Sequence, residues 1–201
     1  MIGKTNIKVK PNKKINYVEY IESTGTQYID TGVVPTNKTK WVLDYQFLAD
    51  TNASGVETAQ NGCGYWSDSE RFVIGYGGGQ LNVAIGVNGA STVNGDTARH
   101  TFILDVPNKK GYIDDNVISC NYSSFAGKES VCIFNRKENS NTSKYIHRGR
   151  LYGSKIYENG VLIRDFRPAV DEKGVACLYD KVSKTCFYNA GTGSFIGGES
   201  I

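Results

Sequence analysis

Residues 153–195 read GSKIYENGVLIRDFRPAVDEKGVACLYDKVSKTCFYNAGTGSF, and this block constrains the fold more than any other part of the chain. Asn159-Gly160 sits between apolar residues, and Asn-Gly supplies the two positive-φ residues of a type I′ turn, so residues 157–161 predict a β-hairpin. Pro168 cannot donate to a ladder and is expected to end the strand that carries Arg164, Asp165 and Phe166. Residues 175–179 and 185–188 are then expected to pair across 180–184. Gly191-Thr192-Gly193 reads as a tight return that sends Phe195 back to the core. Only residues 151–157 are irregular, because Lys155 beside Ile156 blurs the alternation. No catalytic spacing occurs in the block.

The same grammar runs through the rest of the chain. Trp41, Leu43, Tyr45 and Phe47 alternate with Val42, Asp44 and Gln46. Phe72, Ile74 and Tyr76 repeat the pattern, as do Leu81, Val83, Ile85 and Val87, and then Phe102, Leu104 and Val106. Period-two alternation buries one face of a strand and wets the other. Turn signals fall at short intervals: Ser67-Asp68-Ser69, Gly77-Gly78-Gly79, Asn88-Gly89, Asn94-Gly95, residues 108–111 and Asp114-Asp115-Asn116. Composition agrees, since the 23 glycines outnumber the seven leucines and ten alanines combined, and glycine costs roughly 1 kcal/mol at a helix-interior site. The expected fold is all-β, an antiparallel two-sheet sandwich.

Charge divides the chain. Residues 1–16 carry five Lys and no Asp or Glu, whereas residues 17–201 carry 18 basic and 20 acidic residues. The domain boundary is therefore placed at 16/17, with a basic N-terminal arm ahead of one domain. A near-neutral domain without a basic stripe is a poor nucleic-acid binder. No apolar run approaches the roughly 18 residues of a membrane span, and the N-terminus shows no apolar signal-peptide core. Neither nucleic acid nor membrane is an expected partner. The five cysteines (Cys63, Cys120, Cys132, Cys177 and Cys186) form no C-x-x-C, and reduced buried thiols are expected, with Cys177 and Cys186 placed to face one another across a hairpin.

Two segments add specificity. The run YVEYIESTGTQYIDTGV at residues 17–33, together with residues 155–195, resembles the laminin-G-like, concanavalin-A-like jelly-roll domains found in phages and prophages of gut bacteria. Residues 112–118 resemble the family's Y-I-D-x-x-x-I hairpin, with Asp115-Asn116 where Asp-Gly is usual. The resemblance covers residues 17–198. It implies a jelly-roll sandwich in which the two end motifs close the fold, and it implies a virion protein of the head-fibre, decoration or tail-fibre kind. It also implies capsid or tail proteins as partners, a location on the virion surface after synthesis in a host cytoplasm (or else an extracellular one), and room for a homo-oligomer. Lys-rich leaders of this sort look like attachment peptides, and Lys4, Ile7, Lys8, Val9 and Lys10 could add a strand to a partner's sheet edge.

The chemistry expected is binding. Glycan recognition needs an aromatic platform with amides nearby, and two loops offer one: Tyr65 and Trp66 before the Ser67 turn, and the polar segment 135–148 with Asn139, Asn141 and Tyr145. Bacterial or mucosal glycans are the expected ligands, with a stand-alone lectin-like module as the alternative. A carbohydrate-active enzyme is the weaker alternative, because the acidic residues show no paired spacing on one strand face. His100 and His147 show no zinc spacing. Loop oxygens could hold calcium, but no ligand set is predicted and no cofactor is expected.

Overall fold

The structure, a computed structural model, describes residues 15–48, 61–87, 90–138 and 145–201. Its strands are β1 (Asn16–Tyr17), β2 (Ile21–Thr24), β3 (Ile29–Asp30), β4 (Thr39–Phe47), β5 (Asn61–Trp66) and β6 (Arg71–Gly77). They continue with β7 (Gln80–Ile85), β8 (Ala90–Asn94), β9 (Arg99–Asp105), β10 (Lys110–Ile113), β11 (Asn116–Ser119) and β12 (Cys132–Ile133). The last six are β13 (Arg136–Glu138), β14 (Arg148–Glu158), β15 (Val161–Val170), β16 (Ala176–Asp180), β17 (Thr185–Phe187) and β18 (Ile196–Gly197). No helix occurs among the described residues. The large sheet runs β11-β10-β9-β4-β14-β15-β16-β17, with β1 on β15, β2 on β14 and β18 on β2. The small sheet runs β3-β12-β5-β6-β7-β8, with β13 beside β5. All pairs are antiparallel except β5–β13, and neither sheet closes on itself. The fold is thus an all-β two-sheet sandwich consistent with a jelly roll.

Alternation explains the sandwich. In β4 every second residue is buried, and Trp41, Leu43, Tyr45 and Phe47 enter the core. Aromatic rings cross the gap between the sheets: Trp41 stacks on Phe72 at 5.9 Å between centroids, and Phe47 meets Tyr76 at 5.9 Å. Each such side chain contributes about 1.5–3 kcal/mol by burial, and each ring pair about 0.5–1.5 kcal/mol more. The indole N–H of Trp41 donates to Ser154 Oγ at 2.8 Å, so its one polar atom is satisfied inside the core.

Several sequence expectations hold in detail. Asn159 and Gly160 have φ of 51° and 77° and join β14 to β15. Residues 185–187 pair with β16 as expected. The end motifs meet: β18 lies on β2, Thr192 N–H donates to Thr26 O at 3.0 Å, and Asn189 Oδ1 accepts from the N–H groups of Tyr28 and Gly191. Phe195 returns to the core, 6% exposed. The five cysteines are free and buried. Cys177 and Cys186 share a small satellite cluster with Ala169, and the hydrogen bond to Cys186, with burial next, raises the Cys177 thiol.

Other expectations are corrected. Pro168 does not end its strand; β15 continues to Val170, with Pro168 opposite Leu178. The carbonyl of Pro168 accepts from Val18 N–H. A residue's N–H points to the same side of a strand as its C=O, so the missing donor falls where β14 has stopped pairing, after Phe166. In the β10–β11 turn, where Asp115-Asn116 stands in place of the usual Asp-Gly, the positive φ falls one residue ahead of that pair, on Asp114 (50°). The blurred stretch in 151–157 is a β-bulge: Leu151 pairs with Tyr45 and Gly153 with Asp44, which leaves Tyr152 as the extra residue. Segment 135–148 is not loop throughout, since β13 pairs with β5 and Asn135 bridges Ile146.

The two sheets approach closely at Gly111 in β10. A Cβ there would lie 2.4 Å from Val83 Cγ1 of β7. Gly111→Ala is therefore expected to overpack the core and lower unfolding free energy by about 1–3 kcal/mol. Urea melts should show a lower midpoint with an unchanged slope; a wild-type midpoint would mean that the sheets are not in contact at this position.

Candidate functional site

The outward half of the β4 alternation meets the outward half of β14. Pairing places Asp44 beside Gly153, Val42 beside Lys155, and Lys155 beside Asp165 of β15. The bulge turns Tyr152 outward instead of into the core. The result is a groove of about 350 Å³ on the outer face of the large sheet, bordered by Asp44, Arg99, Tyr152, Lys155, Asp165 and Arg167. A second hollow of about 480 Å³, with Lys40, Asp105 and Tyr157, adjoins it and shares Val42. Tyr152 and Tyr157 stand on the same strand, on the order of 15 Å apart at about 3.3 Å per residue.

Polar contacts hold the groove walls. Arg99 grips both oxygens of Asp44, with Nε to Oδ1 at 2.7 Å. The bond to Asp44 raises the already high Arg99 value further, against the smaller pull of burial. The Arg99 guanidinium lies 3.9 Å from the Tyr152 ring centroid, and Tyr152 Oη donates to Gln46 Oε1 at 2.8 Å. Asp165 is different: its Oδ1 is shielded from solvent and accepts no hydrogen bond among the described residues. Around the groove three acids (Glu19, Asp44, Asp165) face three bases (Arg99, Lys155, Arg167), so the lining is charge-balanced. Such a surface offers fixed cations, a carboxylate held by Arg99 and a ring edge, which suits a neutral polyhydroxylated ligand. Asp44 is committed to Arg99 through both of its oxygens.

The residues expected to bind glycan are placed as follows. Tyr65 is 0% exposed, its ring in the core, where burial raises its phenol; it cannot present a platform. β5 alternates, so when Tyr65 faces inward Trp66 faces outward. Trp66 is half-buried and carries the Arg71 guanidinium at 3.8 Å and that of Arg136 at 4.9 Å from its ring. Arg136 also lies 4.0 Å from the ring of Tyr145, which is 5% exposed. The two separate expectations, Trp66 and Tyr145, thus meet in one Arg71–Trp66–Arg136–Tyr145 stack rather than in two open loops. Asn139 and Asn141 lie outside the described residues, as do Lys4, Ile7, Lys8, Val9 and Lys10 of the arm. The large-sheet groove has no counterpart in the sequence expectations. Its signal was the polar half of the same alternation that marked the core.

Neither histidine is exposed as a general base. His147 is 0% exposed, and Tyr45 Oη lies 2.8 Å from its Nε2. Its Nδ1 lies 3.4 Å from the Tyr145 carbonyl, which can only accept, so the ring is a neutral Nδ1–H tautomer. Burial lowers its pKa to about 4. His100 is clamped between two carboxylates, Nδ1 to Asp114 at 2.7 Å and Nε2 to Asp96 at 3.0 Å. Burial pulls its pKa down, but the bonds to Asp114 and Asp96 outweigh it and the net shift is upward. Among the described residues no cluster of three His, Cys, Asp or Glu side chains is arranged to hold a metal ion. Comparison with known proteins finds no family model and no curated protein that matches the chain.

The two histidines act on stability in opposite directions. The unfolded chain binds a proton at His147 more readily than the folded one, so stability falls as pH drops below about 6.5, by about 2 kcal/mol at pH ~5. His100 contributes stability that is complete below pH ~6.5 and is lost as pH rises through its raised folded value. Urea midpoints measured across pH should fall on both sides, and His100→Asn should flatten the alkaline side alone. A midpoint independent of pH between ~6.5 and ~5 would contradict the buried neutral His147.

Proposed function

We propose that this protein is a non-enzymatic adhesion component of a virion surface, of the head-fibre, decoration or tail-fibre kind, whose sandwich binds a neutral glycan through the large-sheet groove. The observation that carries the binding role is the groove itself: a charge-balanced hollow with Tyr152 turned outward by a bulge and Asp165 in its wall. A sugar hydroxyl would meet Asp165 at the part of its side chain that remains exposed, 13% of it, while Oδ1 stays shielded. Tyrosine offers ring area with little rotamer entropy to lose. The virion role is supported by the sequence: the Lys-rich arm ahead of a near-neutral domain, and the end motifs that resemble phage jelly rolls. A stand-alone lectin-like module would use the same groove without needing the arm. An enzyme would need two available carboxylates, and Arg99 occupies one of the candidates.

The test is a neutral-glycan array read with the intact chain, Tyr152→Ala, Asp165→Asn and a variant lacking residues 2–14. Wild type should bind at least one glycan without cleaving it, and each groove substitution should weaken that binding tenfold or more. The shortened variant should bind glycan normally but fail to enter particles when co-expressed with them. Normal particle incorporation of the shortened variant would favour the stand-alone module, and binding unchanged by either groove substitution would remove the groove from the account.

A further inference from the structure

Five arginines of the described residues lie near rings or acids: Arg99, which is exposed, and Arg71, Arg136, Arg150 and Arg164, which are at least partly buried. Four of them have a carboxylate within 4 Å: Arg99 with Asp44, Arg136 with Glu138, Arg150 with Glu22, and Arg164 with Asp180. Arg71 has none. Its guanidinium lies over the Trp66 ring at 3.8 Å, and its Nε is shielded from water without an acceptor. The nearest acid in sequence, Glu70, is turned toward the Ala126 amide and Lys128.

Strand pairing fixes how this arginine is presented. Arg71 stands directly opposite Trp66 across β5–β6, while Arg136 approaches Trp66 from β13 on the other side of β5. The indole is therefore flanked by a guanidinium from each neighbouring strand. A sugar cannot stack on a ring covered in this way, so Trp66 is not an open platform. What the stack offers instead is a planar fork of N–H donors, pre-organised by the ring beneath it. Arg136 is 4% exposed, and burial, the dominant influence, lowers its pKa despite Glu138, so it serves as the inner support. Arg71 is the outer member. A planar carboxylate matches its fork, and a charged acceptor gives the strongest hydrogen bond such a donor can make. The β5–β6 turn beside it, with exposed Asp68 and Ser69, supplies partners for hydroxyls.

We propose that Arg71, held flat on Trp66, is the anion-recognising group of a second binding site, on the small sheet, that takes a carboxylate-bearing sugar. The site shares no residue with the large-sheet groove, and its failure would leave the neutral-glycan reading intact.

Calorimetric titration of the full chain with a panel of hexuronate and sialylated oligosaccharides, and with their neutral counterparts, tests this. At least one acidic sugar should bind wild type tenfold or more tightly than its neutral counterpart. Arg71→Gln should weaken that binding at least tenfold, Arg71→Lys should give a partial loss, and Tyr152→Ala should leave it unchanged. Circular dichroism of each variant confirms folding; should Arg71→Gln not fold, the charge-retaining Arg71→Lys decides, since a stacked fork is lost there while the charge stays. The proposal is overturned if no acidic sugar binds, if Arg71→Gln and Arg71→Lys bind as wild type does, if Tyr152→Ala abolishes the binding, or if a polyglutamate peptide binds equally well.

Discussion

The pairing of β4 with β14 is the constraint on which the rest depends. These are the two long central strands of the large sheet, in register from Phe47 opposite Gly149 to Thr39 opposite Glu158. Their inward residues build the core, and Trp41 and Ser154 lock the two strands with a buried hydrogen bond. Their outward residues are the floor of the groove. One alternation therefore sets stability and surface chemistry together: a one-residue slip would exchange Leu43 for Asp44 in the core and destroy both faces. The bulge at Tyr152 moves the inward phase of β14 from Gly149 and Leu151 to Ser154 and Ile156, so both halves of the strand keep a buried face opposite β4.

The end motifs serve closure. Asn189 ties Tyr28 and Gly191, the Thr192 amide reaches Thr26, and β18 lies on β2, so the beginning and end of the domain become one structure. Contacts of such long sequence separation must offset a loop-closure cost, which grows slowly with the length of chain enclosed. Side chains whose geometry is fixed to that degree are hard to replace without loosening the closure.

Much of the fold was legible because alternation is a local signal with a physical cause. The core set Trp41, Leu43, Tyr45 and Phe47 follows from period two alone, and the Asn159-Gly160 turn follows from the φ values it demands. Pro168 was misread because its effect depends on which neighbour its amide would face, a tertiary fact. The site was less legible. Tyr65 and Trp66 looked equivalent as adjacent aromatics, yet the pleat sends one into the core and the other out. The Arg71–Trp66–Arg136–Tyr145 stack joins three strands with Tyr145 and is invisible along the chain. The groove needed the partners Asp44, Lys155 and Asp165, which lie on three strands, and a bulge that the irregular stretch at 151–157 signalled only as noise.

Together these features place the groove and the Arg71–Trp66 stack on the outer faces of the two sheets, away from the core, and that is where the proposed binding sits. Hydrogen–deuterium exchange of the full chain, with and without a saturating neutral oligosaccharide, tests that claim most directly. The account predicts slowed exchange centred on residues 150–157 and 163–167, with 40–46 following. Slowing confined to the ends of the sandwich, or no slowing on the large sheet while the sugar is bound, would contradict it.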